Sequence, residues 1–187
     1  MDVNKYLETI HLLGKQKDIT RHCYTPGGRH ESVSEHSWRI TMMAYFIGDE
    51  FPEVDVNKLI KMCLIHDIGE IFTGDIPSFD KTTKDEAVED NLLDAWVKSL
   101  PKPYCDELAS LYEEMHELKT TEARIYKALD NLEAVISHNE SDLSTWIEKE
   151  YKLNLTYGDD KCAFSDYLMA LRAIVRKETE EKIAADH

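Results

Sequence analysis

The stretch Cys63-Leu-Ile-His66-Asp67-Ile-Gly69-Glu70-Ile-Phe-Thr73-Gly74-Asp75-Ile-Pro77 constrains this chain more than any other. Leu59, Met62, Cys63, His66 and Glu70 fall at i, i+3, i+4, i+7 and i+11, so one helical stripe starts apolar and ends in an imidazole and a carboxylate. An ionised carboxylate buried without a partner costs several kcal/mol or more, and a site for a cation, a substrate or both is the simplest answer to that cost. A His-Asp pair by itself also fits an ordinary ion pair at a helix end. The decision rests on whether partners face it from other helices.

Ser32-Val-Ser-Glu35 has the capping-box pattern, which predicts a helix from 33 to about 48 with His36, Ile40, Met43, Ala44 and Ile47 on its buried stripe. His36 in that first turn is either a satisfied core histidine or a ligand. Asp55 caps the next predicted helix, 56–69, which delivers the central stretch. Residues 121–139 form a strong helix, with Ile125, Leu129, Leu132 and Ile136 on one line and Tyr126, Asp130 and Ala134 on the next. Asp130, in the middle among apolar neighbours, needs a partner: the His-Asp site or Lys127.

The remaining pattern is also helical: 3–16 with Tyr6, Leu7, Ile10 and Leu13 on one side, 84–99 with Ala87, Leu92, Ala95, Trp96 and Leu100, 104–117, and 161–182 with Phe164, Tyr167, Leu168, Leu171 and Val175. Thr83-x-x-Glu86 reads as the start of the 84–99 helix, and 141–160 as a mixed segment around Trp146 and Tyr151. His11, His116, His138 and Glu140 are expected at the surface. The loop 18–30 carries Arg21 and Arg29 around Pro26-Gly27-Gly28, cations set between two helices of an acidic protein. No strand pattern stands out, so the expected fold is all-α.

At 187 residues the chain can bury a core as one domain, 1–187, with its body at about 5–180 and a solvated tail at 177–187. The four cysteines, Cys23, Cys63, Cys105 and Cys162, form no C-x-x-C pair, and the expectation is reduced thiols in the cytoplasm. No apolar run approaches the ~20 residues of a membrane span. A formal charge of −15 disfavours nucleic acid and anionic membranes as partners. An anionic substrate therefore needs a locally positive site, and His36, His66, Asp67 and Asp130, an N2O2 set on three helices, suit a divalent ion.

His36…His66-Asp67…Asp130 resembles the H…HD…D signature of the HD-domain metal-dependent phosphohydrolases. Glu31-Ser-Val-Ser-Glu-His36-Ser-Trp-Arg and Leu64-Ile-His66-Asp67-Ile-Gly-Glu70-Ile-Phe-Thr-Gly-Asp75-Ile-Pro are similar to the YfbR-like 5′-deoxynucleotidase branch, over residues 5 to about 180. The resemblance implies an HD-type helical bundle that hydrolyses (deoxy)nucleoside 5′-monophosphates to nucleoside and phosphate by attack of water on a divalent metal. It implies His36, His66, Asp67 and Asp130 as ligands of one ion (Mn, Co, Zn, Fe, Ni or Mg), Glu70 and Asp75 as catalytic groups, and Arg21 and Lys81 as phosphate or nucleotide contacts. Where the bacterial type has a tryptophan that rejects the ribose 2′-hydroxyl, this chain has His22. The related proteins also suggest a homodimer. Phosphodiesterase and triphosphohydrolase activity are alternatives the HD core hosts, and a non-catalytic nucleotide- or metal-binding module is a third, against which Glu70 and Asp75 argue.

Overall fold

In the computed structural model, which describes residues 1–185, the chain folds around one central helix, α7 (Thr121–Glu140). Before it come α1 (Val3–Leu13), strands β1 (Thr20–Tyr24) and β2 (His30–Ser32), α2 (Val33–Ile47), α3 (Val56–Ile65), α4 (Glu70–Thr73), α5 (Thr83–Lys98) and α6 (Tyr104–Glu117). After it come α8 (Glu150–Leu153), α9 (Asp159–Cys162) and α10 (Asp166–Ala184). α7 packs against α2, α3, α6, α9 and α10. Ile125, Leu129 and Leu132 of α7 meet Ile40 and Ala44 of α2, Leu59, Met62 and Cys63 of α3 and Leu168 of α10 in one core. Each large side chain buried there contributes about 1.5–3 kcal/mol. The fold is an all-α bundle, and among the described residues no helix is long and apolar enough to cross a membrane.

Both expected caps are in place. Ser32 Oγ accepts from the Glu35 amide while the Glu35 carboxylate accepts from the Ser32 amide, and Asp55 accepts from the Lys58 amide. The third start is one residue earlier than Thr83-x-x-Glu86: Thr82 and Asp85 form the box. The buried stripe of α5 is shifted with it, to Leu93, Val97 and the following Leu100, while Ala87, Leu92 and Ala95 are exposed.

Other elements depart from the helical pattern. Two strands were not expected; they are short, five and three residues, and pair antiparallel as a hairpin. The first helix ends at Leu13 and tightens into a 3-10 turn, Gly14–Asp18. Its Tyr6, Leu7 and Ile10 stay exposed because no element among the described residues covers that face; of the stripe, Leu13 packs on the core. The 161–182 segment is two helices, with Tyr167 exposed and Arg172 buried. The tail stays helical to Ala184, with Thr179 fully buried, and Asp186 and His187 of the expected solvated tail lie outside the described residues.

The most consequential departure is at 66–69. The expected 56–69 helix stops at Ile65, because the His66 side chain competes for the backbone: its Nδ1–H donates to the Cys63 carbonyl at 2.9 Å. The chain continues through i→i−3 bonds, Ile68 to Ile65 and Glu70 to Asp67, into α4. Gln16 and Tyr112 donate to the Asp67 and Ile65 carbonyls and hold the tightened turn. At its far end Gly74, with φ of +81°, turns the chain out of α4 and leads Asp75 to the cavity described next.

Candidate active site

Four side chains from three elements converge. Capped α2 presents His36, the tightened turn after α3 presents His66 and Asp67, and α7 presents Asp130. His36 Nε2 lies 3.2 Å from His66 Nε2 and 3.2 Å from Asp130 Oδ1. Asp67 Oδ2 lies 2.9 Å from His66 Nε2 and 3.7 Å from His36 Nε2. Atoms bound at about 2.1 Å to one ion stand about 3.0 to 3.4 Å apart, so the spacing suits a shared divalent cation.

The donor chemistry fits as well. Each imidazole gives its Nδ1 proton elsewhere, His36 to Glu133 and His66 to the Cys63 carbonyl, which leaves both Nε2 lone pairs facing the same point. Asp130 divides its oxygens: Oδ1 faces the histidines and Oδ2 accepts from Lys127 at 2.7 Å. The two readings of Asp130 in the sequence are thus both met. Burial opposes ionisation of Asp67, but His66 and His36 outweigh it and hold its carboxyl at about 2. Burial and Arg21 work against a charge on His36, yet Glu133 and Asp130 raise it to about 9, so a bound ion would take the place of the Nε2 proton and free that lone pair.

Beside this point opens a cavity of about 290 Å³. Arg21, His22, Glu70, Asp75 and Lys81 all line it. Arg21 lies 3.4 Å from Glu31 and 4.0 Å from Asp67. Burial works against its charge, and Glu133, Asp67 and Glu31 overcome that, so the guanidinium stays charged. Arg29, the other loop cation, pairs with Glu35 at the surface instead. Lys81 Nζ is 2.8 Å from Glu89. Glu70 is buried, and burial together with Asp67 and Asp75 pushes it up to about 11. Asp75 is raised as well, by burial first and by Asp67, so both carboxyls sit where the protonated form is favoured.

Several groups here were not anticipated. Glu133 and Glu31 are buried behind His36, with Ser137 donating to Glu133 at 2.7 Å and Cys23 to Glu31 at 3.2 Å. Tyr126, Asp130, Glu133 and Ser137 follow i, i+4, i+7, i+11 on α7, a polar line that the spacing alone could have revealed. His138, expected at the surface, is largely buried: Glu150 and His22 pack against it across the cavity.

The HD domain model matches residues 13–172. The chain is 34% identical to a 5′-deoxynucleotidase HDDC2 of Dictyostelium discoideum, over 72% of this chain and 76% of that protein. It is 33% identical to the HDDC2 5′-deoxynucleotidase of Danio rerio, over 74% and 70% of the two chains. Among solved structures it resembles a predicted metal-dependent phosphohydrolase from Magnetospirillum magnetotacticum MS-1, with a TM-score of 0.77 and 26% identity, covering 96% of this chain and 94% of that one. The match in sequence and in fold runs through every element that carries the converging side chains, and the chain belongs to the HD-domain family of metal-dependent phosphohydrolases.

Proposed function

We propose that this protein is a metal-dependent 5′-nucleotidase that cleaves nucleoside 5′-monophosphates to nucleoside and phosphate. The observation that carries the reading is that the His36, His66, Asp67 and Asp130 donor set converges at the edge of a cavity, which Asp67 and Asp130 line together with the half-buried cation Arg21 and the raised carboxyls of Glu70 and Asp75. His36, His66, Asp67 and Asp130 would hold one divalent ion, whose bound form neutralises phosphate charge and acidifies water.

The protein's own groups supply the rest. Arg21 pairs with the phosphate oxygens, its charge kept by the carboxylates around it. Lys81, at the same cavity, shares its ammonium between Glu89 and the phosphate. Glu70 and Asp75, which line the same cavity, would take the proton from the attacking water and supply one to the departing 5′-oxygen. Both carboxyls are raised, so a protonated member of the pair can donate while an ionised one accepts.

The test uses metal-stripped protein with Mn²⁺, Co²⁺, Zn²⁺ or Mg²⁺ added singly, and dAMP, AMP, dATP and a cyclic nucleotide as substrates. Metal-dependent release of phosphate and nucleoside from the monophosphates supports the reading. Cleavage of dATP or the cyclic nucleotide with silence on monophosphates replaces it with a triphosphohydrolase or phosphodiesterase.

A further inference from the structure

The end of the cavity away from the metal ligands carries a second set of unpaired polar groups. Asp130, Ala134 and His138 recur at every fourth residue of α7 and all line the cavity. Its wall therefore runs about two helical turns, or about 12 Å, beyond the ligands, and side chains that lean toward the helix N-terminus bring His138 partway back. At that end His22 Nε2, Glu150 Oε1 and Asn154 Nδ2 are buried with no hydrogen-bond partner among the described residues.

Glu150 is 1% exposed and Asn154 3%. The Glu150 Oε2 accepts the Ile147 amide at 2.8 Å, which fixes the side chain. Its Oε1 is left 3.1 Å from His22 Nε2 and 3.4 Å from His138 Nε2, near both and aligned with neither. Arg172 donates to the Asn154 carbonyl at 2.9 Å and pins that backbone. Each unpaired buried polar group costs about 1–3 kcal/mol, so three of them at one end of a cavity mark a place where a ligand completes the bonding.

An acceptor and a donor fixed side by side match a partner that both gives and takes hydrogen bonds. Sugar hydroxyls do so, and a carboxylate on a ribose hydroxyl is an established mode of nucleotide recognition. A base would instead use the aromatic rings that line the cavity, Tyr157 and Phe79, the latter edge-on to His22 at 5.9 Å between ring centres. Resting on the nucleotidase reading, we propose that Glu150 and Asn154, with His22 beside them, form the subsite for the sugar hydroxyls of the substrate. Ribonucleoside monophosphates are then substrates alongside the deoxy forms.

The test compares kcat/KM of wild type, Glu150→Gln and Asn154→Ala, with Mn²⁺ present, on AMP, dAMP, 2′,3′-dideoxy-AMP and phenyl phosphate. Either variant should lose about 10- to 100-fold on AMP, less on dAMP, and stay within about twofold on the dideoxy nucleotide and phenyl phosphate. Unchanged AMP turnover, or an equal loss on all four compounds, overturns the proposal. Asn154→Ala removes no hydrogen bond from Nδ2 and so remains informative if Glu150→Gln does not fold. Calorimetric binding of AMP against dideoxy-AMP to the Mn²⁺-loaded protein separates the two claims. Silence on every monophosphate removes the nucleotidase reading, whereas the subsite stands if AMP binds more tightly and loses that advantage in the variants, and falls if the two bind alike.

Discussion

Asp130 and Glu133, one turn apart on α7, hold opposite nitrogens of a single imidazole: Glu133 accepts from His36 Nδ1 while Asp130 Oδ1 sits 3.2 Å from Nε2. His36 and Glu133 are both fully buried, so the ring has no solvent to turn toward. Glu133→Gln keeps the side-chain volume and removes the charge that orients the ring. Mn²⁺ affinity, measured by calorimetric titration, should fall about 10- to 100-fold. An unchanged affinity would show that packing alone aligns His36.

Removing the metal should be visible in stability as well as in turnover. The proposed ligands come from α2, the turn after α3 and α7, so an ion held there would tie three segments that are far apart in sequence. Restoring free Mn²⁺ to about a hundred times its dissociation constant should add about 2.7 kcal/mol, read as a rise in the thermal midpoint over the chelated protein. A midpoint that ignores the ion would mean that the unfolded chain binds it equally well.

Glu70→Gln should separate chemistry from binding. The carboxamide fits the buried position but can neither take nor give a proton. Phosphate release should drop about 10²- to 10⁴-fold with metal stoichiometry intact. Full activity in this variant would assign the proton transfers to other groups.

His138 should make the protein acid-sensitive. Burial, followed by repulsion from His22 and Arg21, lowers it from 6.5 to about 4. Between those values the unfolded chain takes up a proton that the folded one refuses. The stability contributed by neutral His138 is thus complete above the unfolded value and is lost as pH falls toward the folded one. Urea denaturation at about pH 7.5 and about pH 5 should show wild type losing about 2 kcal/mol more than His138→Gln. Equal losses would place the acid sensitivity elsewhere.

The legible parts of this molecule are those governed by local chemistry. Ser32 and Asp55 start their helices where the capping pattern places them, because a cap depends on residues within one turn. His36 and Asp130 stand out in sequence because each interrupts an apolar stripe, and the structure sets them 3.2 Å apart. Glu133 escaped notice because a glutamate on a helix ordinarily reads as solvated, and only the line through Tyr126, Asp130 and Ser137 marks its side of α7 as buried. The break after Ile65 depends on a side chain taking a backbone carbonyl, which helical periodicity does not register. His138 and Glu150 are joined across a segment with one short 3-10 turn, Leu143–Thr145, and no spacing rule connects them.

The tightened turn at 66–69 also gives the site a mechanical character. The backbone that carries His66 and Asp67 is fastened from outside the helix, by Gln16 near the N-terminus and by Tyr112 on α6. Two distant regions of the chain therefore act as guy-lines on His66 and Asp67, and loosening either anchor would be felt at an ion held there.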